Sequence, residues 1–347
     1  VNVQSGKMTL GSAERLLDTA TVDVDGQLVL GGNETINVLN GGNTGQVDMN
    51  AGDFTVSSGD FAGNIFGNNT VTLTKVSAGN LTLSGDNELL GKTDIQAGSL
   101  TLDGTLDSEH LEVHDGATLT NNSGGLANNA ALVNDGLVEQ NADDTIATLT
   151  NTGTINGTAK LTALTYNLND GSLINANLGT GTVNSNGSVT LNGTSDAEIV
   201  NVQTGTMTLG AAERLDDGTR LTVDAGSDLI LGGNERSDEL FGGGDIDIDA
   251  GTMRVSSGDF SGSINQTMPV AGAGLTKESA GQLRLTGVSS YSGPTVVEAG
   301  TLELSGGGSL DTQTVRVDNG ATFDNLNAGL QDYVDTQVDG TMNVDSD

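Results

Sequence analysis

Both histidines of the chain fall in SEHLEVHDG, residues 108–116. In an extended backbone successive side chains alternate faces, so His110, Glu112 and His114 share one face, opposite Leu111 and Val113. Two imidazoles and a carboxylate converging in this way could hold a surface metal ion. With no further fixed ligand or supporting hydrogen-bond partner in view, a solvated outer strand face is the simpler reading. A second cluster lies in GGGDIDIDAG, residues 242–251, where Asp245, Asp247 and Asp249 alternate onto a common face. Calcium takes such oxygen clusters. The glycines at 232 and 242 are ten residues apart, however, against about nine in calcium-binding nonapeptide coils. An exposed acidic strand again reads more simply, and calcium at these three aspartates is the single cofactor candidate.

Three catalytic readings are weaker. GDNELLGKT, residues 85–93, looks like a phosphate-cradling glycine loop, but five residues separate Gly85 from Gly91 where the loop needs about four. The TDIQAGSLTLDG that follows alternates like a strand instead of opening a helix. A serine protease site would need a nucleophile held with a His and an Asp, yet both histidines lie on one short stretch and no GxSxG elbow occurs. A sugar-cleaving site would need paired carboxylates in a groove, with aromatic platforms. Aromatic residues make up only 3% of the chain. No catalytic residue is assigned, and the chain is not expected to be an enzyme.

The elements that must carry these residues are repetitive. VNVQSGKMTLGSAERL at 1–16 returns as VNVQTGTMTLGAAERL at 200–215, and VSSGDFAGNI at 56–65 returns as VSSGDFSGSI at 255–264. The chain thus holds one long unit, 1–199, and most of a second, 200–347, within one continuous coil. Inside each unit a shorter pattern recurs, Gly-x-apolar-x-apolar, as in GKMTL at 6, GNLTL at 79, GSLTL at 98, GTMTL at 205 and GTLEL at 300. Its alternation means strand, and its spacing of roughly 20 residues is that of a stacked repeat. Strands returning with one polarity predict an all-β, right-handed parallel β-helix of about 20 residues per turn. Like residues would then stack ~4.8 Å apart. About 17 turns would give a length on the order of 80 Å, with a continuous inner apolar column, glycines at the corners and aspartates outside. GSAERLLD at 11–18 and GAAERLDD at 210–217 break the pattern and read as short helical turns in protruding loops. Arg15 and Arg214 would either tie them by surface ion pairs worth at most about 1 kcal/mol or serve as a receptor contact.

LTKVSAGNLTLSGDNELLGKTDIQAGSLTLDG at 73–104 and LTKESAGQLRLTGVSSYSGPTVVEAGTLELSG at 275–306 resemble the autotransporter-associated β-strand repeat. The second copy has Tyr291, Gly293, Thr295, Ala299 and Gly300 in the motif positions; the first has Leu89 in place of the tyrosine. GDNELLGKT aligns with GVSSYSGPT, so the apparent nucleotide loop becomes a corner of the coil, with Lys92 where the other copy has Pro294. The resemblance implies a β-helical passenger region of a type V secreted bacterial surface protein, located on the cell surface or outside it.

Composition agrees with thin layers: 52 glycines, 2 prolines and no tryptophan suit many tight turns and no large aromatic core. The net charge of −34 excludes nucleic acid, whose phosphates need clustered Lys and Arg, and opposes anionic membranes. No apolar run reaches the ~20 residues of a membrane helix, so no direct membrane insertion is expected. Cysteine is absent, which suits a chain that threads a secretion pore unfolded. With Val1 and no Met at its start, the sequence reads as a piece of something longer. The functional expectation is a noncatalytic adhesin or stalk segment that contacts a host or neighbouring-cell surface component. The alternatives are a self-associating filament or surface-layer subunit and a carbohydrate-active β-helix enzyme.

Overall fold

A strand that alternates apolar and polar residues has one apolar face, which it cannot bury alone. The chain resolves this by winding. In the computed structural model, which describes residues 1–249, 251–267, 273–327, 329–331 and 333–344, every regular element is a β-strand. The strands stack in parallel in about 18 turns spaced about 19 residues apart, which makes the fold an all-β β-solenoid. Two compact units are present. One comprises Val1–Tyr166 with Leu173–Asn177, the other Asn167–Ser172 with Leu178–Asp347.

One turn of the first unit shows the construction. Strands Thr72–Lys75, Asn80–Leu83 and Asp86–Leu89 form three walls, and Lys92–Ile95, Gly98–Leu102 and Thr105–Leu106 repeat them. Thr72 pairs with Lys92, Asn80 with Ser99 and Asp86 with Thr105, all in parallel register. Like therefore stacks on like. Leu81, Leu100, Leu119, Val138 and Ile155 form one buried column, each member contributing about 1.5–3 kcal/mol of burial.

The inner columns are not wholly apolar, as the sequence predicts they should be. Leu83 and Leu102 are followed in their column by Asn121 and Gln140, and Ile95 and Val113 by Asn134 and Asn151, all buried. Stacking makes this tolerable, because an amide can bond to the amide of the next turn. Asn134 donates to Asn151 Oδ1 at 2.7 Å, and Asn121 donates to the Asp144 carboxylate at 2.7 Å. Asp144 is itself a buried acid, as are Glu34, Asp94 and Glu235, so the acidic load is not confined to the outside. Burial pushes the Asp144 carboxyl up, although bonds from Leu126, Asn121 and Thr145 oppose the shift.

Close stacking limits side chains at the corners. Gly59 sits opposite Leu39, with φ +141°, and a Cβ there would lie 1.8 Å from the Leu39 carbonyl oxygen. Gly116 is also left-handed, φ +76°, but a Cβ there would meet nothing within 4 Å. Gly116→Ala should therefore cost about 1 kcal/mol of backbone strain, and Gly59→Ala about 3 kcal/mol or more. Guanidinium unfolding followed by circular dichroism should show a much larger fall in midpoint for Gly59→Ala. Equal shifts would contradict carbonyl-to-glycine contact as the corner constraint.

Candidate functional site

The parallel register decides which polar side chains meet. Strand Lys92–Ile95 lies directly against His110–Val113, with Lys92 opposite His110 and Asp94 opposite Glu112. His114 follows this strand, and its Nε2 lies 2.8 Å from Asp94 Oδ1 and 3.5 Å from Glu112 Oε1. Lys92 Nζ lies 3.2 Å from Asp94 Oδ1 and 2.5 Å from Glu112 Oε2. Gln96 Nε2 donates to the other Asp94 oxygen at 2.7 Å. Burial pushes the Asp94 carboxyl up, but hydrogen bonds from Gln96, His114 and Lys92 and the Lys92 charge outweigh it and hold the group below its ordinary value. Ligand atoms of Asp94, Glu112 and His114 all lie within 4.8 Å of one another, the one such group of three found among the described residues. His110, which alternation places with Glu112 and His114, is exposed and outside this group. Asp94 is the residue that sequence reasoning missed. The signal was present as the turn length: Glu112 lies one turn of the coil beyond Asp94, and His114 is two residues further on the same face.

Two pairs of corners use buried charge differently. Glu14, Ser77, Glu213 and Ser279 are the non-glycine residues with left-handed backbone among the described residues, at φ of 50° to 67°. Glu14 and Glu213 occupy equivalent places in the AERL motifs, and Ser77 and Ser279 in the LTK motifs. Such a backbone costs on the order of 1–3 kcal/mol unless its surroundings hold it. At the first pair, buried Glu34 accepts the backbone N–H of Arg15 and of Leu16 at 2.9 and 2.8 Å; buried Glu235 accepts those of Arg214 and Leu215 at 2.9 and 3.0 Å. At the second, the Lys75 ammonium donates to the carbonyls of Val76, Ser77 and Ala97 at 2.7, 2.8 and 2.9 Å. Lys277 does the same to Glu278, Ser279 and Ala299. Burial pushes both lysines down to about 8, and the hydrogen-bond partners of each ammonium are backbone carbonyls. The lysine of the LTK motif is thus a corner clamp.

Two expectations need correction. The AERL segments are bends, not helical turns. Arg214 is bonded to the carbonyls of Ala212 and Asn192, and the loops are held by the buried glutamates through backbone amides. The reason is that two convergent N–H groups satisfy a desolvated carboxylate, which an exposed arginine cannot do from solvent. GDNELLGKT is not one corner: Asp86–Leu89 is a strand of the third wall, and Lys92 opens the next turn. Asp245 and Asp247 stand on the outer face of strand Asp245–Asp247, where they stack on Asp228 and Ile230. The Asp249 carboxylate is engaged by Thr267, through its backbone N–H at 2.6 Å and its hydroxyl. The second unit also carries an outer-face ion-pair ladder, in which Arg236 joins Asp217 to Glu278, and Arg254 joins Glu278 to Glu298.

Parallel walls, glycine corners and lysine clamps define a β-solenoid. The family model described as passenger-associated-transport-repeat matches residues 73–102 and 275–304, the segments that contain the two lysine clamps. Two such matches on a β-solenoid are consistent with an autotransporter passenger region. The repeat implies a secreted surface protein and suggests a structural role. No curated protein and no solved structure matches the chain.

Lys277→Met keeps the buried stem but leaves three carbonyls without their donor. The second unit should lose roughly 3 kcal/mol or more, read as a lower thermal midpoint, and an unchanged midpoint would contradict the clamp. Burial pushes the Glu235 carboxyl up from 4.5 to about 7. Between those values the folded chain binds more protons than the unfolded one, so this contribution to stability is fully present below pH 4.5 and is lost as pH rises through 7. Across that window the wild type should lose on the order of 3 kcal/mol relative to Glu235→Gln. Paired denaturation curves at the two ends of the window measure this, and parallel pH profiles would contradict it.

Proposed function

We propose that the chain is a noncatalytic, extracellular stalk or adhesin segment of a bacterial surface protein, acting by reach and multivalent contact with a host or neighbouring-cell surface component. The observation that carries this reading is the outer polar ladder. Asn40, Asp60, Thr82, Thr101, Thr120 and Glu139 stack in register along one wall of the first unit, all of them half-buried or exposed. Polar groups every ~4.8 Å present many comparable weak contacts, and linked weak contacts add to strong overall binding without a deep pocket. The net charge of −34 keeps this wall hydrated and favours a partner with a basic or cation-bridged surface.

Display of the chain on a nonadherent bacterium, through an unrelated anchoring barrel, should raise attachment to cells or matrix-coated surfaces above that of the barrel alone. The soluble chain should compete for that attachment and sediment as a monomer. Equal attachment with and without the chain would overturn the reading, and concentration-dependent fibres would favour a filament subunit in its place.

A further inference from the structure

We propose that Asp94, Glu112 and His114 form a binding site for a divalent transition-metal ion of the zinc class, with Lys92 as the internal cation that the ion displaces. Imidazole nitrogen with two carboxylates is a donor set that zinc accepts, with its remaining positions left to water. The ligand atoms already lie within 4.8 Å of one another on two successive turns, so binding needs only small side-chain movements. The charge balance points the same way. Two carboxylates face one ammonium, and a divalent ion matches them where Lys92 does not.

The support expected around a metal ligand is also present. The Asp94 side chain is 9% exposed, and Gln96 holds one of its oxygens at 2.7 Å, leaving the other turned toward His114. Such outer hydrogen bonds fix the orientation of ligating carboxylates. Lys92 is 36% exposed on its side chain and can swing its flexible stem into solvent. In the second unit Val296 and Arg316 pair in register as Asp94 and Glu112 do in the first, so the cluster is not a by-product of the repeat.

The test is calorimetric titration of the full chain with Zn²⁺ in excess Mg²⁺, which occupies the diffuse acidic surface. One saturable site should appear, with Kd on the order of micromolar or tighter. His114→Ala and Asp94→Asn should each weaken it by about tenfold or more, His110→Ala should leave it unchanged, and Lys92→Gln should tighten it severalfold. His114 is partly exposed, so its variant should keep the wild-type circular dichroism. The visible spectrum of Co²⁺ bound in place of zinc should change with His114→Ala. Absence of a saturable site, wild-type affinity in His114→Ala, loss of binding in His110→Ala, or weaker binding in Lys92→Gln would each overturn the proposal.

Discussion

The in-register parallel backbone ladder is the constraint on which the rest of this protein depends. Strands within the stack are bonded to the equivalent strands of the turns before and after them, so a residue's neighbours are fixed at ~4.8 Å above and below. That spacing converts a repeated sequence into columns. Leucine columns fill much of the interior of each unit, which is how a chain with 3% aromatic residues builds a core. The same rule lets Asn121, Asn134, Gln140 and Asn151 be buried, since a stacked amide has a donor or acceptor in the next turn.

Corners are where the ladder is most demanding, and the chain meets that demand in two chemically distinct ways. Where a carbonyl of the turn below approaches closely, only glycine fits, as at Gly59. Where a left-handed residue carries a side chain, a buried charge gathers the loose backbone groups: glutamate takes two amides, lysine gives to three carbonyls. These charges are held chiefly by hydrogen bonds to the backbone. Their partners are backbone dipoles, which are present at every corner whatever the neighbouring sequence, so the device can be copied from one long unit to the next.

Coupling between adjacent turns alone also suits a passenger role. Each turn needs only its neighbour as a template, so winding can proceed from one turn to the next without long-range closure. A chain without cysteine has no disulfide to form on the way. The outer wall then repeats whatever polar pattern the sequence supplies, which is the physical basis for reading it as a contact surface.

Strand alternation, repeat spacing and glycine placement were legible in the sequence because they are local: side-chain direction at i and i+2 follows from the backbone of a single strand. The LTK, Gly-x-Leu-x-Leu and Ala-Gly motifs likewise marked the segments 73–102 and 275–304 that the transport-repeat model matches. Contacts between turns were not legible. His110, Glu112 and His114 share a strand face, yet Asp94 takes the place of His110 because the number of residues in one turn sets the partner. The AERL segments read as helix because short-range composition hides the buried glutamate one turn away, and nothing local to Lys75 and Lys277 reveals the three carbonyls around each. The sequence by itself determined that the chain winds and which face of each strand turns inward; only the tertiary structure decided which side chains meet across turns, since that depends on corner lengths summed over a full turn.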